Sequence, residues 1–129
     1  MELVLTVHVV LSKNIYGLKG KDVDICMLPF TGTAEGPYFN GVVLGEGVDT
    51  QTIFHNGRVL FSARYMLEGT DFKGSKCRIF IENNGESLER LTPTVVTDSE
   101  ALQFLAESEL FSVVTPNEVG VEVKVYKNS

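Results

Sequence analysis

Residues 48–68 read VDTQTIFHNGRVLFSARYMLE and carry the strongest fold signal of the chain, an Asn-Gly pair between two strand-like runs. Asn-Gly favours a two-residue hairpin turn, because both central residues of that turn take positive φ. A turn of this length also sets the register of the two strands. The sequence therefore predicts three facing pairs: Asp49 with Arg64, Gln51 with Ser62, and Ile53 with Leu60.

Short strand patterns separated by turn signals continue on both sides of this hairpin, which is typical of an all-β sandwich or barrel. Two further signals predict chain breaks, a strand end at residues 29–32 and a second turn at Asn84-Gly85. One segment departs from the β pattern. A capping-box sequence at residues 97–100 precedes Leu102 and Leu105 at helical spacing, and this predicts a short helix near residues 99–107.

Length and composition indicate one soluble globular domain over residues 1–129. A net charge of −6, with scattered basic residues, disfavours nucleic acid and anionic membranes as partners. The N-terminal run lacks the features of a signal peptide, so we expect a cytoplasmic protein with Cys26 and Cys77 as free thiols. His8 and His55 lie apart from other ligand-type residues, so we expect neither a metal nor another cofactor.

The polar residues around the hairpin form the candidate ligand-binding site. Alternation in the second strand puts Tyr65 on an apolar face and Arg64 on a mixed face, which favours an outward Arg64. If Ile81 of the next strand shares the face of Tyr65, then Glu82 lies beside Arg64. The candidate residues are Asp49, Gln51, Ser62, Arg64 and Glu82. A surface ion pair, contributing about 0.2–1 kcal/mol, is the structural alternative.

Several blocks in the middle of the chain resemble the domain-of-unknown-function family 3237. The blocks are PFTGT at residues 29–33, NGVVL at 40–44, GVDTQ at 47–51, ARYMLE at 63–68 and IENNG at 81–85. The resemblance implies a small antiparallel β-barrel of lipocalin-like type. An Asp and an Arg recur in the family pattern, and here they fall on Asp49 and Arg64. This recurrence favours a face that points into the barrel, and we take the inward orientation as the prediction.

Three functions fit these observations. The first is a barrel that binds a small, partly apolar, anionic metabolite anchored by Arg64. The second is a metal-independent enzyme of isomerase or lyase type, in which Asp49 or Glu82 is the general base and Arg64 stabilises an oxyanion. In the third, the polar face forms a contact between copies of the chain. The inward or outward orientation of Asp49 and Arg64 distinguishes the first two functions from the third.

Overall fold

Antiparallel pairing closes the chain into an eight-stranded barrel, which confirms the predicted fold class. The structure is a computed structural model and describes residues 1–128. Its strands are β1 (Glu2–Leu11), β2 (Tyr16–Lys19), β3 (Val23–Glu35), β4 (Phe39–Val43), β5 (Gly47–Phe54), β6 (Val59–Asp71), β7 (Lys76–Ser87), β8 (Arg90–Thr97), β9 (Leu110–Pro116) and β10 (Gly120–Lys127). No helix in residues 1–128 is long and apolar enough to cross a membrane.

The barrel follows the order β1-β10-β9-β8-β7-β6-β4-β3 and closes by pairing of β3 with β1. Two shorter strands complete it. β5 takes over the position of β4 further along the barrel, because it pairs with the first half of β3 and the first half of β6. β2 follows β1 on the same edge of β3 and has no other strand as a partner among the described residues.

Alternate residues of the strands form the core inside the barrel. Tyr65 and Leu67 of β6 point inward, as do Ile79 and Ile81 of β7 and Val123 of β10. The apolar face predicted for β6 and the shared orientation of Tyr65 and Ile81 are therefore confirmed, and these two residues pair directly. Each buried side chain of this size contributes on the order of 1.5–3 kcal/mol.

A short helical segment covers the barrel end that carries the β6–β7 turn. It consists of a 3₁₀ turn (Glu100–Leu102) and α1 (Gln103–Glu107), with Leu102 and Leu105 buried against the core. The predicted capping box does not form. Instead, the Ser99 hydroxyl donates to Asp71 Oδ2 at 2.7 Å, and Thr97 Oγ1 accepts from the Ser99 backbone N–H at 3.1 Å.

Two predicted chain breaks are wrong. β3 continues through residues 29–32, where Gly32 passes so close to β1 that an added Cβ would lie 2.2 Å from the His8 carbonyl oxygen. β7 likewise continues past Asn84-Gly85 to Ser87, and a register shift in its pairing with β8 absorbs the irregularity. Glycines allow close backbone contact at these points without ending the strand.

The hairpin that joins β5 and β6 has a three-residue loop, so the predicted register is wrong by one residue. Phe54 pairs with Arg58 through a 2.8 Å backbone hydrogen bond, which leaves His55, Asn56 and Gly57 in the loop. Of these three loop residues, Gly57 alone takes positive φ, at 96°. Asn-Gly also fits loops of this length, in which a glycine at the last position forms a bulge. The loop between Phe54 and Arg58 therefore has three residues, whereas the predicted turn had two.

Candidate functional site

The one-residue offset places Asp49 and Arg64 on opposite faces of the sheet. Asp49 pairs with Ala63, and Arg64 pairs with Val48. Neighbouring residues of a strand point to opposite faces, so a shift of one residue reverses the orientation of every side chain relative to its partner. The predicted inward orientation is therefore correct for Asp49 and wrong for Arg64.

The five predicted site residues divide into two groups. Asp49 and Gln51 line a cavity inside the barrel. Ser62 and Arg64 line an open groove on the outside, and Glu82 contacts Arg64 there. The prediction that all five share one surface is wrong, although the predicted proximity of Glu82 to Arg64 is confirmed.

On the outer face, Arg64 and Glu82 form an exposed ion pair. Arg64 Nε lies 2.6 Å from Glu82 Oε2, and the Arg64 side chain is 67% exposed. The adjoining groove has a volume of about 640 Å³, but its walls are open to solvent. Water competes for polar groups in such a groove, so an exposed pair contributes only about 0–1 kcal/mol.

The inner cavity combines apolar walls with a few polar side chains. Its volume is about 120 Å³, close to the roughly 150 Å³ known to accommodate benzene in an engineered protein cavity. Four polar side chains line the cavity or project into it: Asp49, Gln51, Tyr65 and Asn83. Apolar cavities with a few oriented polar groups are typical of small-molecule sites.

Asp49 is the ionisable group of this cavity. Burial raises the pKa of its carboxyl above the ordinary 3.8, because the charged form loses hydration. The Gln51 amide, which donates to Asp49 Oδ2 at 3.1 Å, and the backbone N–H of Ser62 offset part of this effect. The carboxyl is therefore a better proton acceptor than an exposed aspartate.

Tyr65 contributes a buried hydroxyl that lacks a hydrogen bond. Its side chain is almost fully buried, and no residue of the described chain is a hydrogen-bond partner of its Oη. Phe30 packs edge-on against the Tyr65 ring with 5.4 Å between centroids. Burial also raises the pKa of Tyr65, so the hydroxyl stays protonated and remains a donor.

Asn83 completes the polar lining and is already paired. Its side-chain amide exchanges hydrogen bonds with the Ser112 hydroxyl at 2.9 and 3.1 Å, and both residues are buried. Sequence reasoning missed Tyr65 and Asn83 as site residues. Asn83 had a detectable signal, because it lies two residues after the inward Ile81 and so interrupts an apolar face with an amide.

The cationic side chains of the described chain lie outside this cavity. Within the described chain, Lys, Arg and His are missing from the cavity lining. His8 contacts Glu35 on the outer surface, and His55 contacts Asp24 at 3.1 Å. No group of three or more metal-ligand side chains occurs in residues 1–128. The inner site therefore consists of one carboxyl, neutral hydrogen-bonding groups and apolar walls.

Comparison with other proteins relates this barrel to several solved structures. The model for the "Protein of unknown function (DUF3237)" family matches residues 1–87. A protein of unknown function from Clostridium acetobutylicum is 26% identical, with a TM-score of 0.82 over 99% of this chain and 98% of its own. A β-barrel-like protein from Acinetobacter baumannii is 18% identical, with a TM-score of 0.80 over 98% and 93% of the two chains.

A more distant structure is an enzyme from Penicillium herquei, which is 16% identical. Its TM-score is 0.73, and the alignment covers 97% of this chain and 92% of the enzyme. No curated protein matches the chain. The structural likenesses agree on the barrel, and at these identities they establish the fold alone.

Proposed function

The chain belongs to the DUF3237 family of proteins of unknown function, and from that premise we propose that it binds a small molecule inside its barrel. One observation carries the proposal: a buried, unpartnered hydroxyl belongs to Tyr65, and Tyr65 and the half-buried Asp49 line the same cavity. Leaving the Tyr65 hydroxyl without a partner costs about 1–3 kcal/mol. A ligand that accepts a hydrogen bond from it would recover that free energy.

The size of the barrel supports this proposal. Barrels of about eight strands have an interior that side chains either fill or leave open for one small ligand. Here the helical segment and the aromatic side chains fill one end, while the cavity remains along β5, β6 and β7. Because Arg64 lies outside, the proposed lumenal ligand is not anchored by it, and the anionic metabolite expected from the sequence is not proposed for this cavity.

A fragment screen on isotopically labelled protein tests the proposal. We expect ring-sized compounds to shift amide resonances of residues around Asp49, Tyr65 and Asn83. Ala63→Phe, which fills the lumen between Asp49 and Asn83, should abolish those shifts. Ser62→Phe is the matched control, since it adds the same side chain one residue away on the outer face. Shifts that persist in Ala63→Phe, or their absence from the wild-type protein, would contradict the proposal.

A second candidate function is an enzyme that transfers protons within the same cavity. The raised pKa of Asp49 favours this role, because a general base works best when its pKa approaches the working pH. The Penicillium herquei relative is an enzyme, which shows that this fold supports catalysis in at least one distant protein. Glu82 has no part in this candidate function, since it lies on the outer face beside Arg64.

Hydrogen–deuterium exchange on a bound compound distinguishes enzyme from binder. A catalytic Asp49 would exchange a carbon-bound hydrogen of the ligand for solvent deuterium. Asp49→Asn would then abolish the exchange while retaining most of the affinity. A binder gives no exchange in either protein. Unchanged exchange in Asp49→Asn would exclude Asp49 as the base.

A further inference from the structure

The polar groups of the cavity also restrict what kind of molecule fits. Resting on the proposed function, we infer that the barrel selects an uncharged, ring-sized molecule with a carbonyl oxygen at the Tyr65 hydroxyl and a hydroxyl group at the Asp49 carboxyl. The ligand class is thus a cyclic hydroxyketone or a close equivalent. Three features support it: the unused donor of Tyr65, the unused acceptor capacity of Asp49, and the lack of a lumenal cation.

Tyr65 calls for an acceptor on the ligand. Its hydroxyl is buried without a partner among residues 1–128, and the ring is held by Phe30 on one side. Gly47 packs closely against both of these residues, since a Cβ there would lie 2.6 Å from both Phe30 Cζ and Tyr65 Cβ. Tyr65 lines the cavity and its protonated phenol is a donor without a partner, for which a carbonyl oxygen is the simplest uncharged acceptor.

Asp49 favours a ligand that donates a hydrogen bond to its carboxyl group. The Gln51 amide donates to Asp49 Oδ2, and the backbone N–H of Ser62 also donates to this carboxyl. A carboxylate has about four lone-pair positions, so it can still accept a ligand hydroxyl. Asp49 pairs with Ala63, and Tyr65 follows two residues later on the same face. The backbones of such diagonal positions lie about 7–8 Å apart, so Asp49 and Tyr65 border the same part of the lumen.

The charge of the cavity lining disfavours both anionic and cationic ligands. A carboxylate ligand would meet the Asp49 carboxylate without a compensating cation, because Lys, Arg and His are missing from the lining as far as the structure describes it. An ammonium would find one charged partner for its three donors and otherwise apolar walls, so much of its hydration would be lost without replacement. An uncharged ligand carries neither cost.

Titrations with five cyclohexane derivatives test the inference, with amide chemical shifts as the readout. The probes are 4-hydroxycyclohexanone, cyclohexanone, cyclohexanol, cyclohexanecarboxylate and cyclohexylamine. We expect 4-hydroxycyclohexanone to bind about tenfold more tightly than the carboxylate, and severalfold more tightly than either singly substituted neutral ring. Equal or tighter binding of the carboxylate, or of the amine relative to cyclohexanol, would overturn the inference.

Tyr65→Phe tests the acceptor position separately. This variant removes only the unpartnered hydroxyl, so we expect it to melt no lower than the wild-type protein and to bind 4-hydroxycyclohexanone about tenfold more weakly. Tyr16→Phe, at an exposed tyrosine, is the matched control and should change neither property. Unchanged affinity in Tyr65→Phe would overturn the inference. If no probe gives shifts that Ala63→Phe abolishes, the proposed function itself fails.

Discussion

The inner and outer faces of β5, β6 and β7 carry similar side chains in different environments. Inside, Asp49 and Asn83 lie among apolar side chains. Burial raises the pKa of Asp49, and Asn83 forms hydrogen bonds with the buried Ser112. Outside, Arg64 and Glu82 form an ion pair that is exposed to water. The comparison shows that environment, more than residue type, determines which polar residues constitute a site.

The loop of one hairpin separates these two faces. With three residues between Phe54 and Arg58, Asp49 lies opposite Ala63 and points into the barrel. With two residues it would lie opposite Arg64, and both would share a face. The length of this loop therefore decides whether the cavity contains a carboxyl without a cation or a carboxylate–guanidinium pair.

The largest expected effect on stability comes from exchanging the inner and outer faces of β5. Deleting Ile53 shifts the rest of β5 by one residue, which would turn Asp49 and Gln51 outward and Thr50 inward. We expect the free energy of unfolding to fall by about 3 kcal/mol, because Glu46 then takes the position of Gly47, where a Cβ would lie 2.6 Å from Phe30 and Tyr65. Chemical denaturation measures this change.

Deleting His55 is the matched control for that experiment. It removes one residue from the loop, keeps the pairing of Phe54 with Arg58, and leaves Asn56-Gly57 as a favourable two-residue turn. We expect a loss of about 1 kcal/mol or less. Equal losses for the two deletions would contradict the three-residue loop.

The next largest effect concerns the buried pair of the inner face. Ser112→Ala leaves the Asn83 amide without its partner, so we expect the free energy of unfolding to fall by about 1–3 kcal/mol. The double replacement Asn83→Leu with Ser112→Ala should recover part of this loss, because both polar groups are then gone. A thermal melt with no change for Ser112→Ala would show that water replaces the hydroxyl.

A smaller effect is expected for Asp49→Asn, and it depends on pH. Since burial raises the pKa of Asp49 in the folded protein above 3.8, ionisation opposes folding as pH rises through the folded-state pKa. At pH 7 we expect Asp49→Asn to be more stable than the wild-type protein by up to about 1 kcal/mol. The difference should shrink as pH falls toward 4. Denaturation at several pH values checks the sign, and a less stable variant at pH 7 would refute it.

The smallest effect belongs to the outer face. A double-mutant cycle on Arg64→Ala and Glu82→Ala should give a coupling energy of about 0–1 kcal/mol, which decreases with added salt. The melting temperatures of the four proteins provide the measurement. A coupling above about 2 kcal/mol would mean that the pair is shielded from water, and the contrast between the faces would disappear.

The strand pattern predicted an all-β sandwich or barrel and the faces of the regular strands, and the family resemblance narrowed the fold to a barrel. Alternation with a period of two is a local property, and it correctly placed Tyr65, Ile81 and Arg64. The hairpin register was predicted wrongly by one residue, because Asn-Gly suits both two-residue and three-residue loops. Asp49 and Gln51 were therefore placed correctly inside, but Ser62, Arg64 and Glu82 were assigned to the wrong face.

The features that the sequence did not predict depend on contacts between residues far apart in the chain. The capping box at residues 97–100 is locally favourable, yet the Thr97 hydroxyl it requires donates to the carbonyl oxygen of Arg78, 19 positions earlier in the chain. The Tyr65 hydroxyl likewise has no local feature that reveals its lack of a partner, since the lining of the cavity comes from eight strands. Such features depend on how the strands meet and are not visible in the pattern of any one of them.

A pH titration of the Asp49 carboxyl carbon by NMR tests the central claim, that Asp49 lies inside the barrel and away from Arg64. We predict a pKa above 3.8 in the wild-type protein and no change in Arg64→Ala. An Asp49 that faced Arg64 would titrate below 3.8, and Arg64→Ala would raise its pKa. That result would contradict the register, the inner site and the ligand class inferred from it.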